Sequence, residues 1–158
     1  MKFVFTPLNT ADATNVAHWR YPEAYATYNM SATDMEEILD PRSPHYSVRN
    51  EQAELVGYFG YGTSALIWGS EQASLYIEDH VIAVGLGMRP ELTGQGLGLA
   101  FVQAGLDFAR QQFAPKAFRL YVFPWNQRAI KVYQKAGFQT VGTRKGQEGV
   151  FLEMSMPA

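Results

Sequence analysis

The segment Met88-Arg89-Pro90-Glu91-Leu92-Thr93-Gly94-Gln95-Gly96-Leu97-Gly98 constrains this chain more than any other. An apolar run, Val81 to Met88, precedes it and reads as a strand centred on Val81-Ile82-Ala83-Val84. Leu97, Phe101, Ala104, Gly105 and Phe108 follow at three- and four-residue spacing, which predicts a helix ending near Phe113, before Pro115. A strand that runs through a glycine-rich loop into a helix leaves consecutive backbone amides unpaired at the helix start. Glycine lets a ligand approach that backbone closely, and the helix terminus adds about half a positive charge. Such a loop suits a phosphate or pyrophosphate. It is not a Walker A loop, which needs a lysine, nor the dinucleotide fingerprint, whose third glycine would fall at Leu99.

The rest of the chain supplies one sheet and its helices. Lys2 to Phe5 reads as a first strand, and a helix is expected from Thr10 to about Trp19, with Ala13, Val16 and Ala17 inward. Thr33-Asp34-Met35-Glu36 reads as a capping box opening a second helix that stops at Asp40-Pro41. His45 to Arg49 and Glu54 to Tyr61 form a hairpin, Tyr76 to Met88 contains the next strand, and Gly85 and Gly87 there suggest a bulge or a close approach. Phe118 to Phe123 is a strand, Asn126 caps a helix to about Lys135, and Gly137 ends it. Gln139 to Thr143 and Val150 to Met154 close the chain as a hairpin. No repeat or linker interrupts the 158 residues, so a single α/β or α+β domain is expected over 1–158.

A second segment carries chemistry: Asn126, Ala129, Tyr133 and Gly137-Phe138, with Asn126 and Tyr133 on one helical stripe. Together the two segments resemble the GNAT superfamily of N-acetyltransferases. Met88 to Gly98 is similar to its acetyl-CoA loop, and Asn126 to Phe138 to its N-x-x-A-x-x-x-Y-x-x-x-G-F signature. The resemblance covers roughly residues 80–140 and implies a mixed, mostly antiparallel sheet of about six to seven strands with helices on both faces. It further implies acetyl-CoA as acyl donor, direct transfer to a primary amine in a ternary complex, and no metal. Backbone groups of Leu86, Met88 and Arg89 would meet the pantetheine arm, with the Met88 amide near the thioester oxygen. Thr93, Gly94, Gln95, Gly96, Leu97 and Gly98 would hold the pyrophosphate, Asn126 would bond the pantetheine arm, and Tyr133 would protonate the leaving thiolate. Thr93 stands where the family has Arg or Gln, so a cationic contact is missing, which the basic segment 108–147 would replace.

Charge is divided along the chain. Residues 108–147 hold eight basic side chains and no acid, whereas 1–107 hold thirteen of the fifteen acids. The division points to an anion bound by the C-terminal half and a cation by the N-terminal half. The acceptor amine is accordingly expected against Trp19, Tyr21, Tyr25 and Tyr28, as a small molecule or a protein N-terminus. Glu78, Asp79 and His80 are the candidates for taking its proton.

A non-catalytic acyl-CoA-binding module is the alternative, and a nucleic-acid-binding domain using 108–147 a weaker one, opposed by the net charge of −2. The absence of cysteine excludes disulfides, iron–sulfur clusters and thiolate nucleophiles, and three widely separated histidines make a poor metal set. No Gly-x-Ser-x-Gly elbow is present. No signal-like or membrane-length apolar run occurs, so a cytoplasmic protein is expected, without nucleic-acid or membrane partner and with a homodimer as the assembly to test.

Overall fold

A computed structural model describes residues 2–31, 33–68 and 72–158. Seven strands form one sheet in the order β1-β2-β3-β4-β5-β7-β6: β1 Val4–Pro7, β2 His45–Arg49, β3 Leu55–Tyr61, β4 Val81–Met88, β5 Ala117–Val122, β6 Gln139–Gly146 and β7 Gly149–Pro157. Every neighbouring pair is antiparallel except β4 and β5. Four α-helices accompany them: α1 Thr10–Ala17, α2 Asp34–Ile38, α3 Gly98–Phe113 and α4 Gln127–Ala136. Short 3-10 turns occupy Glu23–Tyr28, Thr63–Ala65 and Pro90–Leu92, none of which the sequence pattern had distinguished from loop.

Alternation along the strands divides the helices between the two faces. Phe59 and Tyr61 of β3 point toward α3, where Phe101, Leu106 and Ala109 complete the main core. Gly57 and Gly105 are sockets in this contact. A Cβ on Gly57 would lie 2.4 Å from the Phe101 ring, and one on Gly105 would lie 2.2 Å from Phe59. The Tyr61 hydroxyl donates to the Gly105 carbonyl at 2.7 Å, so the buried tyrosine also ties sheet to helix.

The opposite face carries α1, fixed by a buried carboxylate. Asp12 accepts from Ser47 Oγ at 2.6 Å and from both Arg49 guanidinium nitrogens at 2.9 and 2.8 Å. The Arg49 hydrogen bonds hold its carboxyl below the usual carboxylate range.

Two local expectations change. The capping box at Thr33 and Glu36 does not form: Thr33 is helical in backbone and makes no side-chain cap. The same chemistry sits two residues earlier, where the Ser31 amide donates to Asp34 Oδ2 at 2.8 Å and the Asp34 amide to the Ser31 carbonyl at 3.1 Å. Gly85 and Gly87 mark no bulge, since β4 pairs in continuous register with β3 from Val84 to Met88. Gly87 instead admits the Tyr58 ring, which a Cβ would strike at 2.3 Å. The strand expected within 76–88 is present as β4 from Val81, and His80, at φ +51°, turns the chain before it.

The Asp12 pairing has a measurable consequence. Asp12→Asn is expected to cost about 2 kcal/mol in denaturant unfolding at pH 7, because a charged, multiply bonded acceptor is lost. Its folded pKa lies below the unfolded one, so the contribution is complete above about pH 5 and drains as acid protonates the carboxyl. The gap between wild type and variant should therefore close as pH falls below about 4; a gap constant in pH would refute the assignment.

Candidate active site at the parting of two strands

Strands β4 and β5 pair only from Val81 to Ala83 and from Ala117 to Arg119. Beyond that point they part, while β4 stays paired to β3 as far as Met88. The Gly62 amide donates to the Ala83 carbonyl and the Arg89 amide to the Val56 carbonyl, which fixes the alternation between them. Ala83, Gly85, Gly87 and Arg89 turn their backbone groups toward β3, and Val84, Leu86 and Met88 turn theirs into the gap. The Met88 carbonyl there accepts a 2.7 Å hydrogen bond from Tyr21 Oη, and its amide shares the same edge. Both Arg89 backbone groups are engaged within the protein, the amide by Val56 and the carbonyl by the Leu92 amide.

On one side the gap opens into a cleft of about 440 Å³ between β4, the glycine loop, α3 and α4. Gly94 and Gly96 have φ of +74° and +78°, a conformation that glycine adopts without strain. The space beside Gly96 is open to 4 Å, and α3 begins with no side-chain cap, so its first amides face outward. This is an anion cradle. Thr93 lines the cleft, but its hydroxyl and the Gln95 amide group are engaged in the loop: Thr93 Oγ1 donates to the Pro90 carbonyl at 2.7 Å and Gln95 Nε2 to that of Glu91 at 2.7 Å. Arg128 places a cation beside this loop. Its Nη1 would lie 3.3 Å from a Cβ on Gly94, and its guanidinium stacks over Tyr25 at 4.3 Å. Lys135 lines the same cleft.

Tyr133 belongs both to this cleft and to the gap itself, a cavity of about 260 Å³. Burial, reinforced by Tyr28, pushes its hydroxyl well above the ordinary phenol pKa, so it keeps its proton. Both polar atoms of the Asn126 side chain have partners at the start of α4. Its Oδ1 accepts from the Ala129 amide at 3.2 Å, and its Nδ2 donates to Tyr28 Oη at 2.9 Å.

The gap gathers Tyr21, Tyr25 and Tyr28 with Tyr58, Tyr121 and Tyr133. Burial raises Tyr21 to about 12. Trp19, grouped with these by sequence, packs on Tyr58 with its indole N–H on Asn15, and lies outside the residues lining the gap. Glu78, Asp79 and His80 sit before the start of β4, where Glu78 pairs with Arg119 and Asp79 with Lys116. They are not among the residues lining the gap, and a strand of eight residues separates them from Met88, about 26 Å at 3.3 Å per residue.

A third cavity, of about 230 Å³, adjoins the gap through Tyr58, Ala65, Gly85 and Leu86 and is lined by Asp34, Glu37 and His45. Glu37 is solvent-exposed on α2, and nothing in the sequence pattern shows that it also reaches the wall of this cavity. The available signal was Gly60, the register partner of His45, whose missing side chain leaves room for the imidazole.

The fold and this site together define a transferase built around an anion-binding loop at a split sheet. The family model described as "Acetyltransferase (GNAT) family" matches residues 11–138, and the chain belongs to that family, whose acyl donor is acetyl-CoA. Mycothiol acetyltransferase of Propionibacterium freudenreichii subsp. shermanii is 33% identical over 98 residues, covering 62% of this chain and 28% of that protein. The enzyme of the same name from Streptomyces scabiei is 31% identical over 135 residues, covering 84% and 39% respectively. The chain thus spans well under half the length of these relatives. Among solved structures, aminoglycoside acetyltransferase AAC(6′)-Ib with paromomycin and acetyl-CoA superposes with a TM-score of 0.78 at 20% identity, covering 99% of this chain and 94% of that one. Spermidine N-acetyltransferase from Vibrio cholerae, solved with CoA and spermine, gives 0.75 at 16% identity, covering 98% and 95%. Among the described residues no helix is long and apolar enough to cross a membrane, and no group of three metal-type side chains occurs.

If Arg128 is the cation of the anion cradle, Arg128→Ala should weaken coenzyme A binding about tenfold in calorimetric titration. The loss should shrink as salt is raised from 50 to 500 mM. An unchanged affinity would remove Arg128 from the site.

Proposed function

We propose that the chain transfers the acetyl group of acetyl-CoA directly to a primary amine of a small molecule. The observation that carries this is the shared gap: the anion cleft and the aromatic cavity meet at Leu86, Met88 and Tyr133. A donor bound from one side and an acceptor from the other would meet there without a covalent enzyme intermediate. Acetyl-CoA supplies an acetyl thioester, which a neutral amine can take by displacement with release of the thiol.

Each side chain then has a role that its surroundings allow. The loop amides from Gly94 to Gly98, with Arg128, hold the pyrophosphate charge. The edge of β4 offers its Leu86 and Met88 backbone to the pantetheine arm, and the Met88 amide is a fixed donor for charge developing on the carbonyl oxygen. Tyr21 braces that edge by its hydrogen bond to the Met88 carbonyl. Tyr133 holds a proton on its hydroxyl for the departing sulfur. Asn126 acts through Tyr28, keeping it against the gap.

The acceptor is a small molecule in this reading because the acceptor side is a walled cavity lined by aromatic rings. Relatives and structural neighbours named for mycothiol, aminoglycoside and spermidine acetylation support it. Two measurements test the reading. Acetyl-CoA at a hundred times its Kd should stabilise the fold by about 2.7 kcal/mol, with ATP and NAD as inert controls. Tyr133→Phe should lower kcat for CoA release about a hundredfold at nearly unchanged KM for acetyl-CoA. CoA binding without amine-dependent CoA release would make the chain a binding module instead.

A further inference from the structure

The cavity beside the gap has a chemistry that the transfer reaction does not use. It lies between α2 and the β2–β3 hairpin, and its polar walls are Asp34, Glu37, His45, Tyr58 and Ser64. No lysine or arginine lines it, and neither carboxylate forms an ion pair among the described residues. Asp34 spends one oxygen on the Ser31 amide and hydroxyl. Burial, with Asp34 alongside, pushes Glu37 above the usual carboxylate range, the mark of an anion that lacks a cation.

His45 completes the set. Its Nδ1 lies 3.1 Å from the Ser43 carbonyl, an acceptor only, so that nitrogen carries the hydrogen. Ser43 is itself buried and held to Ser64 by a 2.7 Å hydroxyl contact. Burial lowers His45 to about 4, so the imidazole is neutral at physiological pH and Nε2 presents a bare lone pair. Nε2 lies against Gly60, within the cavity wall. Two carboxylates and a neutral imidazole thus line one small cavity. An ammonium group has three N–H donors and no acceptor, and it fits such a set.

That ammonium is not the reacting one. A nitrogen must lose its proton before it attacks, and two nearby carboxylates would stabilise its charged form and oppose that loss. The gap itself has the opposite character: its lining holds six tyrosines and Arg128 but no carboxylate, which favours a neutral amine. Resting on the acetyltransferase reading, we propose that this cavity holds a second ammonium group of the acceptor, so that preferred substrates are compact diammonium compounds whose other amine reaches the gap.

The experiment compares n-butylamine with α,ω-diamines of about three to six carbons, by calorimetric titration and by CoA release. At least one diamine should bind about tenfold more tightly than the monoamine. Glu37→Gln, isosteric and on the solvent-reaching side of α2, should remove about tenfold of that advantage and leave n-butylamine within about twofold. Asp34 is a poorer first target because it also caps α2. If no diamine is preferred, or if Glu37→Gln weakens monoamine and diamine equally, the second-ammonium site is overturned, whatever the turnover. A preferred diamine that binds without CoA release would keep the site and overturn the acetyltransferase reading instead.

Discussion

The separation of β4 from β5 governs everything else in this molecule. A parallel pair that ended together would leave a closed sheet with no opening at its centre. Here the pairing stops at Ala83 and Arg119, yet β4 continues to Met88 against β3. Its gap-facing row of backbone groups is then left without a strand to satisfy it, at a cost that buried polar groups impose. Tyr21 covers one member, the Met88 carbonyl. The others form a ready edge for an extended ligand with amide groups, and the 3-10 turn at Pro90–Leu92 carries the chain directly from that edge into the anion loop. Under the proposed reading, strand edge and loop, consecutive in sequence, serve consecutive parts of one long ligand.

Glycine gives the site its shape in two different ways. Gly94 and Gly96 are needed for their backbone, since both stand at positive φ. Gly60 and Gly87 are needed for the side chain that is missing, since His45 lies over one and Tyr58 over the other. An alanine at Gly87 would drive Tyr58 out of its seat, and Tyr58 is the wall shared by the gap and the acidic cavity. A small residue on β4 thereby sets the relation between two chambers on the far side of β3.

Much of this was legible in the sequence, and the limits are physical. Strands with strong alternation or β-branched runs, such as His45 to Arg49, and the helix after Gly98 follow from periodicity within a residue or two. The anion loop was legible because its chemistry is local: amides, glycines and a helix start are consecutive. The cavity beside the gap was not, because it assembles α2, β2, β3 and β4 from residues up to 56 positions apart, from Met30 to Leu86. Glu37 is exposed on a short helix, and only the hairpin beside it makes it part of a cavity wall. Glu78, Asp79 and His80 misled for the converse reason: they are close to Gly85 in sequence, but an extended strand carries them to its other end.

The uneven distribution of charge along the chain acquires a spatial meaning through the strand order. With β1 to β4 on one side of the gap and β5, β7 and β6 on the other, N-terminal residues flank the acceptor cavities and α4 flanks the anion cleft. A one-dimensional division, acids before residue 108 and bases after it, becomes a field across the gap. Arg128 and Lys135 stand at one end, Asp34 and Glu37 at the other, and the uncharged tyrosine cluster lies between. Under the proposed reading, an anionic donor and a cationic acceptor are each drawn to the chamber of opposite sign. Their reacting ends then meet where no carboxylate holds the amine in its charged form.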